Sequence, residues 1–162
     1  MTDEKILAKI TKFPLQWKVI FEFNPREPLE RENRIRRNIL SIKEHSAFLP
    51  KAGSTNRWFI DLDYNGSINL QFPPCKGRIY GGRLESDQLL RTPAWSRVEI
   101  THEEEEDGKY FLSLSVNGLE PRRMEIGDWG IIEEVKIVTV HRYVWELGLQ
   151  PALIRGLVVL GK

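Results

Sequence analysis

Hydrophobic side chains recur at every second position over much of this chain, the spacing that places them on one face of a strand with polar neighbours on the other. In Trp17 to Phe23, residues Trp17, Val19, Phe21 and Phe23 share one face, and Lys18, Ile20 and Glu22 share the other. Arg37 to Lys43 sets Leu40 and Ile42 against Ile39, which fits a strand with both faces partly covered. Between Arg57 and Phe72 the pattern predicts a hairpin: Trp58, Ile60, Leu62 and Tyr64 align, then Asn65-Gly66, then Ile68, Leu70 and Phe72. Asn-Gly suits a type I′ turn, which needs positive φ at both central positions. A second hairpin pairs Trp95 to His102 with Lys109 to Val116 across the acidic run Glu103 to Asp107 and Gly108, and Asn117-Gly118 marks a further turn. Stretches rich in β-branched residues predict strands at Glu134 to Val140 and Leu153 to Leu160.

Pro-, Gly- and Arg-rich stretches separate these strands at Asn24 to Asn38, Pro73 to Arg91 and Arg142 to Pro151, and read as loops. Leu29 to Ile39 holds the helix formers Arg and Glu, but Pro25 and Pro28 precede it and its apolar periodicity is thin. Neither an internal repeat nor a second core is visible, so one β-sandwich domain over residues 1–162 is expected. Short strands, tight turns and no alternating helices predict an all-β fold of two antiparallel sheets closed on one interior. The first and last predicted strands are apolar enough to lie inside.

Composition narrows the function classes. Lys and Arg total 24 against 23 Asp and Glu, a net charge of +1, so no global field draws nucleic acid or an anionic membrane. Cys75 is the lone cysteine, and it excludes an internal disulfide. The opening Met1-Thr2-Asp3-Glu4-Lys5 lacks the order of a signal peptide, and no apolar run approaches the ~20 residues that span a bilayer.

The order Phe13-Pro14-Leu15-Gln16-Trp17, Asn38-Ile39-Leu40, Arg57-Trp58-Phe59-Ile60, Asn65-Gly66, Trp95-Ser96-Arg97-Val98-Glu99-Ile100, Val116-Asn117-Gly118 and Ile154-Arg155-Gly156-Leu157 resembles laminin-G-like, concanavalin A-like lectin domains over nearly the whole chain. The resemblance implies a jelly-roll sandwich in an extracellular module that binds glycans or proteins. In some members calcium takes part. Here the stretch after Ile42, read as a loop, is Lys43-Glu44-His45-Ser46-Ala47-Phe48 rather than Gly/Asp-rich, so no cofactor is expected. Trp17 and Trp95 are expected to cap the core, and Gly156 to mark a close approach of strands or chain ends.

Candidate chemistry is thin. The acidic run Glu103 to Asp107 has consecutive spacing, poor for a hard cation, and reads as a solvated hairpin tip. Asp61 and Asp63 share one strand face and could seat an acid and a base as in a glycoside hydrolase, but solubilising residues on an exposed face are the preferred reading. His45, His102 and His141 lack metal-ligand spacing, Cys75 has no adjacent histidine, and Gly77 to Gly82 matches no phosphate-binding fingerprint and reads as a flexible loop. Arg31, Arg34, Arg36 and Arg37 form a basic cluster diluted by Glu27, Glu30 and Glu32. Sugar recognition needs an aromatic platform beside donors and acceptors. The candidate ligand-binding residues are therefore Trp129, Tyr143, Trp145 and Tyr80, with Arg34 and Arg37. The expected function is a non-catalytic, lectin-like module for a glycan or protein surface. The alternatives are a structural domain that pairs with another copy and, third, a glycoside hydrolase on the same sandwich.

Overall fold

The computed structural model describes residues 4–25, 37–46, 55–63, 65–74, 81–86, 94–127, 132–140 and 153–161. The strands are β1 (Glu4–Phe13), β2 (Trp17–Asn24), β3 (Arg37–Ser46), β4 (Thr55–Leu62), β5 (Ile68–Phe72), β6 (Gly82–Glu85), β7 (Ser96–Glu104), β8 (Tyr110–Val116), β9 (Arg122–Ile126), β10 (Ile132–Val140) and β11 (Leu153–Gly161). One sheet has the order β1-β10-β3-β4-β5-β6 and the other β11-β2-β7-β8-β9, with every neighbouring pair antiparallel. No described residue lies in a helix. The stretch 29–36, where helix formers cluster, lies outside the described residues, and 37–39 is strand.

The alternating residues meet where the pattern placed them. Val19, Phe21 and Phe23 of β2, Trp58, Ile60 and Leu62 of β4, and Leu112 and Leu114 of β8 are buried in a core cluster between the sheets. Its aromatic end joins the two layers. Trp17 meets Trp58 edge-on at 5.3 Å and Phe13 at 5.5 Å, and His102 lies between Trp17 and Tyr110. Glu44 is buried on this core side, and Trp58 Nε1 donates to its Oε2 at 3.1 Å, supplying a partner to a charge that would be costly to bury alone. Segment 43–46, read as a loop, thus continues β3.

Two turns exchange the chemistry expected of them. At the first hairpin Gly66 has φ +94° while Asn65 does not have positive φ, and Asp63 N donates to Ser67 O as Gly66 N donates to Asp63 O. This is a three-residue loop with a glycine bulge, not type I′. The acidic tip repeats it, with Glu105 N to Lys109 O, Gly108 N to Glu105 O and Gly108 at φ +82°. Type I′ geometry falls at Asn117 and Gly118, both with positive φ, where Leu119 N donates to Val116 O.

Several sequence expectations need correction. The last strand is an edge, with Leu153, Val158 and Leu160 exposed. Trp17 is buried, but Trp95 is exposed and carries the Arg155 guanidinium 3.7 Å from its ring centroid. Gly156 has φ +64° at a register break in β11. The close approach belongs instead to Gly161, where a Cβ would stand 2.4 Å from Pro14 Cγ. Gly82 lies in β6 rather than in a loop, and a Cβ there would stand 2.5 Å from the Phe72 ring. Strands β1, β6 and β9 went unread because bulges or scarce apolar residues hide their alternation: in β1 the register slips between Ile6 and Ala8, leaving Ile6 exposed.

Removing the inter-sheet ring is expected to be severe: Trp58→Ala should lose about 3–5 kcal/mol in urea unfolding. Gly108→Ala, forcing a side chain into the left-handed region, should cost about 1–2 kcal/mol. Equal losses in the two variants would contradict this packing.

Candidate functional site

The six-stranded sheet has a second face, away from the core, and the strand register arranges its side chains in transverse rows. Asn38 pairs with Asp61, Asp61 with Asn69 and Asn69 with Glu85, which makes one row of alternating amides and carboxylates across β3, β4, β5 and β6. The next row is Ser41, Phe59, Gln71 and Arg83. Neighbouring strands lie ~4.8 Å apart, so members of a row are within side-chain reach of each other.

A bulge builds the first row. Asn38 opposes Asp61 while Leu40 opposes Ile60, so β3 inserts Ile39 as an extra residue between these pairs. In an unbroken strand Asn38 and Leu40 would share a face. The inserted residue turns Asn38 to the polar side, where its Nδ2 donates to Asp61 Oδ1 at 2.8 Å and its Oδ1 accepts from Ser41 Oγ at 3.4 Å. Asp63, two residues beyond Asp61, accepts from Asn69 Nδ2 at 3.1 Å. At the end of the row Ser67 Oγ donates to Glu85 Oε1 at 2.7 Å, and Arg83 lies 3.6 Å from the same carboxylate.

Asp61 and Asp63 are buried, at 7% and 8% exposure, and Asn69 is fully buried. The reading of these aspartates as solubilising groups on an open face is therefore wrong: both are held in a hydrogen-bonded network. These polar groups are buried on the side of the sheet that faces away from the core cluster. Asn69 Oδ1 lacks a hydrogen-bond partner there, a buried acceptor that calls for a donor from water or ligand. Phe59 is half-buried in the neighbouring row, with the Arg57 guanidinium 5.7 Å from its ring centroid.

Of the residues singled out in the sequence, Tyr80, Trp129, Tyr143, Trp145 and Arg34 lie outside the described residues, as do Arg31, Arg36, Cys75 and His141. Arg37 is placed by its backbone at the start of β3, opposite Leu62. His45 is placed by its backbone opposite Thr55, and His102 is a core residue whose Nδ1 bonds the Leu15 carbonyl. The acidic tip is exposed, with Arg123 pairing Glu105 and Lys109 pairing Asp107. The residues missed are Asn38, Phe59, Asn69, Gln71 and Arg83. The signal was present for the middle three, since Phe59, Asn69 and Gln71 alternate with core residues of the first hairpin.

The architecture recurs in solved structures. A glucuronan lyase from the fungus Trichoderma reesei superposes with a TM-score of 0.66 at 9% identity, covering 99% of this chain and 74% of that one. An alginate lyase from Chlorella virus gives 0.57 at 12% identity, covering 100% and 90%. A galectin from Caenorhabditis elegans gives 0.50 at 10% identity, covering 98% and 96%. The fold is a two-sheet antiparallel jelly-roll sandwich. No family model matches the chain, and no curated protein matches it in sequence. The expectation of a domain without catalysis is overturned by this finding, because polysaccharide lyases share the jelly roll alongside the lectin.

The Asn38 to Asp61 bond anchors the row to the bulge. Asn38→Ala removes a hydrogen bond to a carboxylate and is expected to cost about 1.5–3 kcal/mol in thermal unfolding. An unchanged melting temperature would show that the row does not depend on it.

Proposed function

We propose that this chain recognises a carbohydrate on the second face of its six-stranded sheet. The buried amide and carboxylate row, with the unpartnered Asn69 Oδ1 within it, carries the reading. Sugar hydroxyls are donors and acceptors at once, and a row alternating amides with carboxylates meets both needs. Phe59, beside Gln71 and Arg83 in the neighbouring row, offers a ring for the apolar face of a pyranose. The carbohydrate-handling proteins that share the jelly roll support the same class of ligand, and the extracellular setting implied by the laminin-G-like resemblance belongs to this proposal.

Calorimetric titration with neutral oligosaccharides and with polyuronates tests it. At least one series is expected to bind, and Phe59→Ala or Gln71→Ala should weaken it about tenfold. Scoring the same samples for chain cleavage separates binding from turnover. If no saccharide binds, or neither variant changes the affinity, the reading fails.

A second reading, pairing of two copies, draws on the edge strand β11, whose outward Val158 and Leu160 are exposed. Sedimentation should then show a concentration-dependent dimer that Leu160→Lys abolishes. A monomer at every concentration rejects it.

A further inference from the structure

Four cations stand in one transverse row on the same second face. Lys9 of β1 pairs with Lys136 of β10, Lys136 with Lys43 of β3, and Lys43 with Arg57 of β4. Each is flanked along its strand by core residues: Val135 and Ile137 are buried beside Lys136, as are Ile42 and Glu44 beside Lys43 and Trp58 beside Arg57. All four side chains therefore project to the side away from the core. At the strand spacing of ~4.8 Å the row spans ~14 Å. Like charges directly opposed in a sheet destabilise it, and here three successive pairs are alike. Glu134 lies 3.3 Å from Lys9 and 3.4 Å from Lys136, and Lys43 and Arg57 have partners of their own. Partial desolvation raises the Glu134 carboxyl, but hydrogen bonds and charge from Lys9 and then Lys136 outweigh this and hold it below its ordinary value.

We infer that this row binds an anionic polysaccharide, a chain of uronic acid or sulfated sugars lying across β1, β10, β3 and β4 at right angles to the strands. The inference rests on the carbohydrate reading and adds the charge of the ligand and its direction. A polymer with one carboxylate per ring presents anions at intervals along its length, and the row presents several cations to meet them. Asp61 does not cancel the row, because it lies four residues from Arg57 along β4, ~13 Å away and beyond the ~8 Å screening length at physiological salt. Phe59, two residues from Arg57, stands on the same face between the cations and the acidic row. The near-neutral chain has no long-range field for nucleic acid, so recognition depends on this local match.

The experiment compares polyglucuronate with a neutral glucan of equal length, by calorimetry at low and physiological salt. The proteins are the unaltered chain, Lys43→Gln/Lys136→Gln and the charge-keeping Lys43→Arg/Lys136→Arg. Substitutions of this kind on a polar face leave the fold intact, which unchanged melting of both variants checks. Polyglucuronate should bind the unaltered and arginine forms. The glutamine form should bind about tenfold or more weakly and with a shallower salt dependence. Equal binding of polyglucuronate by all three forms overturns the inference. If the neutral glucan binds and polyglucuronate does not, the anionic assignment falls while the carbohydrate reading stands, and if neither binds both fall. Duplex DNA or phosphatidylserine vesicles displacing polyglucuronate at equal charge concentration would also overturn it, since the row would then be a general anion surface.

Discussion

Cross-strand register is the constraint on which the rest of this structure depends. Because side chains alternate strictly between the two faces of a strand, a pair that fixes Trp58 opposite Ile42 on the core side also fixes Phe59 opposite Ser41 on the other. Burial sets the first pair, since Trp58 has no place in water and its indole nitrogen already holds Glu44. The second pair follows without any attraction of its own. Packing energy in the core thus sets where the polar groups of the second face stand, and the rows across it follow from the core register.

Where the register is interrupted, the interruption has a readable effect. Ile39 inserts into β3 and turns Asn38 toward Asp61. In β1 the slip between Ile6 and Ala8 lets Lys9 fall opposite Lys136 while Ala8 and Ile10 pack on the core. Without the inserted Ile39, Asn38 would share the core face with Leu40 and the first row would lose its amide on β3. Both bulges lie in strands that flank a row rather than in β4, where alternation is unbroken from Arg57 to Leu62.

Much of the core was legible in the sequence, and much of the second face was not, for a physical reason. A core position announces itself by being apolar at every second residue, which is why β2, β4, β5, β7 and β8 could be read from residue order. A polar-face position has meaning only through its neighbours on other strands. Asn69 and Gln71 look like ordinary solvent-side residues until Asp61 and Phe59 stand beside them. Arg83 sits on β6, which has Leu84 as its one large apolar residue and therefore no detectable period. Aromatics in loops were singled out because an aromatic is conspicuous in a sequence, whereas Phe59 was masked by the hydrophobic strand around it.

The two ends of the second face have opposite electrostatic character, and this bears on what one scaffold can host. Along β4, Arg57, Phe59 and Asp61 pass from cation through ring to carboxylate within five residues. A ligand on the cations meets exposed, flexible side chains, Lys9 at 56% and Lys136 at 39%, so its contacts are screened by salt and easily exchanged. Asp61, Asp63 and Asn69 are buried, hydrogen-bonded groups held in place by the sheet, and contacts among such groups are worth more than contacts in water. A galectin and polysaccharide lyases share this jelly roll, so the fold by itself leaves open whether a chain on such a sheet is held or cut.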